Sequence, residues 1–230
     1  MRIAYTVLEV DRHENANLIR QKLSFLDEMK TVVCDARKEY PDCIKKYPQY
    51  KHIFDSLTNK GYIGLWISNL NAFYSLLESD YDAILIFEDD AVLVDDFELK
   101  FKRCLEELPT DFGLFSIGYR DLYLNSYSEA HSIQKDNVCR MFQTGDSWGI
   151  LYKKEFVQEL LDRIIGHKIL YGLPDTAIMS YALGNVKPFT NYKPYSTTPS
   201  LGSLISHNHD IEVSTLQNSP TSGQHINKTS

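Results

Sequence analysis

The chain has 230 residues, 43% of them hydrophobic, 24% charged and 12% aromatic, with 24 Lys and Arg against 31 Asp and Glu for a net charge of −7. Such a composition excludes collagen-like, coiled-coil and wholly disordered chains, and the length suits one large domain or two small ones. An acidic balance makes nucleic acid a poor partner, because phosphate binding needs a basic face; a small phosphorylated ligand stays compatible if one metal ion supplies positive charge locally.

Met1 to Val10 is apolar but short, and it runs into Asp11-Arg12-His13-Glu14 without a small-residue cleavage pattern. It reads as a first strand, Ile3 to Leu8, and not as a leader. No stretch approaches the roughly 20 apolar residues that span a bilayer, so the expectation is a cytoplasmic chain with no membrane span. Leu18, Ile19, Leu23 and Leu26 recur at helical spacing within Asn15 to Leu26. Lys30 to Cys34 reads as a second short strand. A polar, Tyr- and Lys-rich connection follows, closing with Phe54 to Lys60. Trp66, Leu70, Phe73, Tyr74 and Leu77 then mark one stripe of a helix. Ala83-Ile84-Leu85-Ile86-Phe87 is an unbroken apolar run, the signature of a strand covered on both faces.

Phe97, Phe101, Leu105 and Leu108 mark another helix, Gly113 to Ile117 a further buried strand, and Phe156 to Ile164 a later helix. Alternation of this kind predicts an α/β fold with a mainly parallel central sheet. Residues 1–213 read as one domain. From Ser214 to Ser230 large apolar side chains are scarce, and a mobile polar tail is expected. Cys34, Cys43, Cys104 and Cys139 are widely spaced without CxxC pairs, which predicts reduced core thiols.

The feature that points to chemistry is Glu88-Asp89-Asp90, directly after the apolar run. In open α/β sheets, ligands collect outside the carboxyl ends of the strands. Three adjacent carboxylates repel one another unless something cationic neutralises them. Arg or Lys could do so, but clustered carboxylate oxygens suit a hard divalent cation, whose open positions a diphosphate can fill. The bland alternative is a solvated acidic turn.

Lys60-Gly61-Tyr62-Ile63-Gly64-Leu65-Trp66-Ile67-Ser68, followed by Tyr81-Asp82-Ala83-Ile84-Leu85-Ile86-Phe87-Glu88-Asp89-Asp90-Ala91-Val92, resembles glycosyltransferase family 25. That family shows a Gly-x-x-Gly…Ser helix start about 15–25 residues before a strand ending in Glu-Asp-Asp. Val7 to Arg12, Val33 to Ala36, Gly145 to Leu151 and Leu173-Pro174-Asp175 also match family segments in order. Asn69 follows Ser68 where the family commonly has His, and Tyr119 to Cys139 is individual to this chain.

The resemblance implies a GT-A fold, a Rossmann-like sheet that binds nucleotide-diphospho-sugars, with the triplet as a variant DxD motif. Asp90 would contact the metal, Mn²⁺ or Mg²⁺, and Glu88 or Asp89 would reach it through water or bind ribose or sugar hydroxyls. His207 or His209, in Ser206-His207-Asn208-His209-Asp210, is a candidate second metal ligand. Thr6, Leu8 and Glu9 would lie beside the base, Asp35 would bind uracil or ribose, and Arg12 would contact phosphate. Gly64 and Ser68 share a helix face, and either close packing or nucleotide binding explains them. An inverting transferase needs a general base near the acceptor hydroxyl. Asp175 is the first candidate, with helix capping as its competing role, and Asp146 beside Trp148 is the second. The implied activity is metal-dependent transfer of a hexose, galactose by resemblance, from a UDP-sugar to a glycan hydroxyl. A metal-dependent phosphohydrolase and an inactive sugar-nucleotide-binding domain are the alternatives.

Overall fold

A computed structural model describes residues 1–35, 38, 42–118, 135–141, 149–167, 173–185, 187, 190–198 and 204–207. Asp146, Trp148, His209, most of the 119–139 segment and the expected tail lie outside the described residues.

The architecture is mixed α/β. A seven-stranded sheet is built from β1 (Ile3–Leu8), β2 (Asp27–Glu28), β3 (Ala83–Glu88), β5 (Phe112–Ser116), β6 (Val138–Arg140), β7 (Gly149–Lys153) and β8 (Lys193–Thr197), in the spatial order β2-β1-β3-β7-β5-β8-β6. A two-stranded antiparallel sheet pairs β4 (Ala91–Leu93) with β9 (Ile205–His207). The expectation of a mainly parallel sheet needs correction. β1 pairs in parallel with β2 and β3, and β5 with β8, but β7 runs antiparallel between β3 and β5, and β6 antiparallel to β8. Half of the neighbouring pairs are therefore antiparallel, although five of the seven strands run the same way.

The helices divide between the faces. α4 (Lys60–Glu78), α6 (Lys154–His167) and α7 (Pro174–Ala182) cover one, where Trp66, Leu70, Phe73, Phe156, Leu160 and Tyr181 pack on Ile84, Ile86, Leu114, Ile150 and Tyr152. α1 (His13–Lys22) and α5 (Phe97–Glu107) cover the other, where Ile19, Phe97 and Phe101 pack on Ile3, Tyr5, Val7, Leu85 and Phe87. Strand alternation assigns these faces, and each fully buried Leu, Ile or Phe contributes about 1.5–3 kcal/mol. α2 (Asp42–Lys45), a 3₁₀ turn at Pro48–Tyr50 and α3 (Lys51–Phe54) make up the described part of the connection before α4. α4 starts at Lys60 because Asn59 caps it, its side-chain oxygen accepting from the Gly61 N–H at 2.8 Å.

The expected strand at Lys30–Cys34 does not form; the second strand is the short pair Asp27–Glu28. Side chains take the place of a ladder there. Thr31 Oγ1 bonds Thr6 Oγ1 at 2.7 Å, the Val32 carbonyl accepts from Asn71 Nδ2 at 2.6 Å, and the Cys34 N–H donates to Ser68 Oγ at 3.0 Å. The cysteine expectation also fails in part: Cys34 is disulfide-bonded. Cys104 and Cys139 are free and buried. Burial, joined by the Glu107 charge, pushes Cys104 up to about 12, and burial pushes Cys139 up to about 11, so neither is a thiolate nucleophile near neutral pH.

Two sites show how the interior closes. β8 carries Pro194 inside the sheet, and β5 shifts register opposite it, between Phe112 and Leu114, where a missing N–H is tolerated. On β7, a Cβ at position 149 would stand within 2.9 Å of Ile117 and collide with Ile205, so Gly149 is what lets β9 settle against the sheet.

Candidate functional site

β1 and β3 run side by side in register from Ile3↔Ala83 to Leu8↔Glu88, so both carboxyl ends open at one place. Pleating places Glu88 on the α4/α6/α7 face with Ile84 and Ile86. The chain then turns through Asp89 and Asp90 into β4.

Asp89 is wholly engaged in the turn. Its Oδ2 accepts from three successive backbone N–H groups, those of Val10 at 2.8 Å, Asp11 at 3.2 Å and Arg12 at 3.3 Å. Its Oδ1 accepts from Arg12 Nη1 at 3.2 Å. Asn15 Nδ2 bonds the carbonyls of Asp89 and Ala91 at 2.7 and 2.9 Å. The β1–α1 loop is thus tied to the acidic turn. Arg12, the N-cap of α1, makes no capping hydrogen bond with its own side chain; Asp89 supplies an acceptor and a negative charge there instead. Asp90, also buried, lies 3.5 Å from Arg12 Nη1 through Oδ2. Arg12 therefore bridges two carboxylates in the place where a phosphate contact was expected of it.

Glu88 meets different company. With Leu8, Asn69, Ile86 and Tyr152 it lines a cavity that offers water about 10 Å³ of room. That is the scale of one water molecule. Burial pushes the Tyr152 phenol far up from its usual range, and the nearby charges of Asp175 and then Glu88 push it further. The charges of the base candidate and of the first carboxylate of the triplet are thus both felt at one buried phenol. Asp175 is not the cap of α7. Leu173 holds that position, Pro174 opens the helix, and Asp175 stands second in its first turn.

The remaining candidates have structural occupations. Thr6 is buried against Thr31. Glu9 accepts from His13 and from Arg20 Nη1, the latter at 2.6 Å. The His13 hydrogen bond first, and then Arg20, hold its carboxyl below the usual range against partial burial. Asp35 pairs with Lys38 at 3.0 Å. Ser68 Oγ donates to the Gly64 carbonyl at 2.8 Å while accepting from Cys34, so the pair fastens α4 to the 31–34 segment. His207 stands opposite Ala91 in the β4–β9 register, one residue from Asp90. Among the described residues, no three His, Cys, Asp or Glu form a group able to hold a metal ion.

Tyr152 escaped the sequence reading, since a tyrosine in Gly149-Ile150-Leu151-Tyr152-Lys153 reads as core. Its signal was its parity with Ile150, which puts it on the Glu88 face. No family model matches the chain, and no curated protein matches it significantly. Among solved structures it is similar to A197 from STIV, at 11% identity over 90% of this chain and 85% of that one, with a TM-score of 0.43.

Proposed function

We propose that this chain is a glycosyltransferase that moves a hexose, galactose by the resemblance above, from a UDP-sugar to a glycan hydroxyl with inversion. The observation that carries the reading is the acidic run Glu88-Asp89-Asp90 at the carboxyl end of β3, in register beside β1, with Glu88 lining a small cavity there. The carboxylates of Glu88, Asp89 and Asp90 follow one another at the end of β3, where Arg12 pairs with the last two. A bare diphosphate would be repelled by these acids, so the cation that the resemblance implies, Mn²⁺ or Mg²⁺, would have to offset them. Asp89 is taken up by the loop and Asp90 faces Arg12, and the described residues hold no group of three His, Cys, Asp or Glu for a cation, so the resemblance alone would assign one to Glu88 and Asp90. Bound there, the cation would neutralise charge on the departing diphosphate.

Asp175 removes the proton of the acceptor hydroxyl. That oxygen bonds to the anomeric carbon as the bond to the UDP oxygen breaks, which inverts the centre. The resemblance would put the base of the nucleotide beside Thr6, Leu8 and Asp35. No helix among the described residues is long and apolar enough to cross a membrane. The disulfide at Cys34 weighs against a strongly reducing compartment, and hence against the cytoplasmic expectation.

The test is calorimetric titration of UDP with and without Mn²⁺, joined to a transfer assay with mixed glycan acceptors. UDP should bind with the cation and weakly without it. Asp175→Asn should keep UDP affinity and lose about 10²-fold or more in transfer. No UDP binding under either condition would overturn the reading, and phosphate release from simple esters without an acceptor would replace it with a phosphohydrolase.

A further inference from the structure

Three charged side chains meet where the β1–α1 loop touches the acidic turn, and all are nearly closed to solvent: those of Arg12, Asp89 and Asp90 are 13%, 10% and 8% exposed. One guanidinium nitrogen, Arg12 Nη1, stands 3.2 Å from Asp89 Oδ1 and 3.5 Å from Asp90 Oδ2. We propose that Arg12 is the resident counter-cation of these two aspartates, and that the pair takes no divalent cation in this chain. This departs from the resemblance, which would give Asp90 to a metal, and leaves the transferase reading to stand or fall on UDP itself.

The oxygens of the turn are already directed elsewhere. A hard dication needs about six or more oxygen ligands at roughly 2.0–2.6 Å. Asp89 could join them only by releasing the loop, because its Oδ2 accepts from the N–H groups of Val10, Asp11 and Arg12 and its Oδ1 from Arg12 Nη1. The carbonyls on either side of Asp90, those of Asp89 and Ala91, accept from Asn15 Nδ2 at 2.7 and 2.9 Å. A dication within ligand distance of Asp90 Oδ2 would stand close to the guanidinium, and the two positive charges would repel strongly where so little water screens them. The charge already comes close to balance without a metal. Two carboxylates against one guanidinium leave one negative charge, and it lies at the N-terminus of α1, where the helix dipole favours it. Arg12 is tethered to its own ion pair, so it neutralises the turn at any metal concentration. A cation that enters with UDP brings phosphate oxygens as ligands and can be held without either aspartate.

The deciding experiment follows thermal unfolding of the wild-type chain, Arg12→Gln and Arg12→Lys without nucleotide, in EDTA and then in about 1 mM Mn²⁺ or Mg²⁺, with ionic strength matched by sodium chloride. The wild-type midpoint should not move between these conditions. Arg12→Gln leaves two buried carboxylates without their cation, and its midpoint in EDTA should fall by roughly 10 °C. Either divalent cation should restore at least half of that loss, because the pair then binds the charge it lacks. Arg12→Lys keeps the charge, so it should stay nearer the wild type and ignore the metal. Calorimetric titration of Mn²⁺ alone into the wild type and Asp90→Asn decides the matter even where Arg12→Gln is too unstable to prepare: the two should give the same trace. Saturable Mn²⁺ binding to the wild type that Asp90→Asn abolishes overturns the proposal, as does an Arg12→Gln midpoint that divalent cations raise no more than that of the wild type. Failure of UDP to bind under any condition overturns the transferase reading and leaves the role of Arg12 standing.

Discussion

The two sides of the acidic turn are built from the same residue types and do opposite things. On the α1 side, Asp89 and Asp90 are closed in by Arg12 and by the N–H groups of Val10, Asp11 and Arg12. On the α4 side, Glu88 opens onto a cavity with Asn69 and Tyr152. The difference comes from one step of strand alternation: the last residue of β3 keeps its parity with Ile84 and Ile86, while the next two leave the strand and turn. A run of like charges is thus split into a pair turned toward the β1–α1 loop and a member turned toward the other face of the sheet. A spacing-based motif would treat the three as equivalent.

The sharpest way to break this comparison is to remove Asp89. Alanine there would strand three backbone N–H groups and leave the Arg12 charge short of one partner in a buried setting. The expected loss is about 3–5 kcal/mol in urea unfolding, with Asp89→Asn losing less because one amide oxygen can still accept from the loop. Glu88→Gln should cost less, because Glu88 is only half-buried where Asp89 is buried. If Asp89→Ala unfolds at the wild-type midpoint, the division of labour is wrong and all three acids belong to the site.

The second prediction concerns the segment tied to α4 at Ser68. Residues 31–34 are held by side chains and by the Cys34 disulfide, not by a ladder. Reduction, or Cys34→Ser, should cost about 2–4 kcal/mol of stability. Because Cys34 is also tied to Ser68, the loss should appear in hydrogen exchange as faster opening of α4 near Gly64 and Ser68. A denaturation curve that ignores dithiothreitol would show the disulfide to be idle.

These cases also show what the residues disclose by themselves. β3, α4 and the acidic triplet at a strand end were readable, because a five-residue apolar run and a long helical stripe carry strong periodic signals. The reversal of β7 was not, because strand direction depends on connections and not on side-chain pattern. β4, β6 and β9 have three residues each, too few for alternation to register, and Pro194 hides β8 behind a residue that usually breaks strands. The missing strand at 30–34 has another cause: its β-branched residues are real, but Thr31, Val32 and Cys34 bond to side chains that only tertiary packing supplies. The site was half legible for the same reason. Glu88 and Asp175 can be named as candidates from local pattern, whereas the effect of both charges on Tyr152 depends on β3, β7 and α7 being in place.

The smallest effect separates Glu9 from the site it was assigned to. Its carboxyl lies below the usual range in the folded chain, held by His13 and Arg20 at the edge of α1. A depressed folded pKa means that ionised Glu9 favours the folded state. That contribution is complete above the unfolded value near about 4.3 and disappears as pH falls through the lower folded value. Glu9→Gln should therefore lower the thermal midpoint slightly at pH 7 and make no difference at a pH below the folded value. Added salt should shrink the effect at neutral pH, since the group is partly exposed and screened. Because Glu9 is engaged on the α1 side, UDP affinity should be untouched by the same substitution. A loss of UDP binding in Glu9→Gln, with stability unchanged, would move the nucleotide across β1 and redraw the boundary between the closed and open sides of the turn.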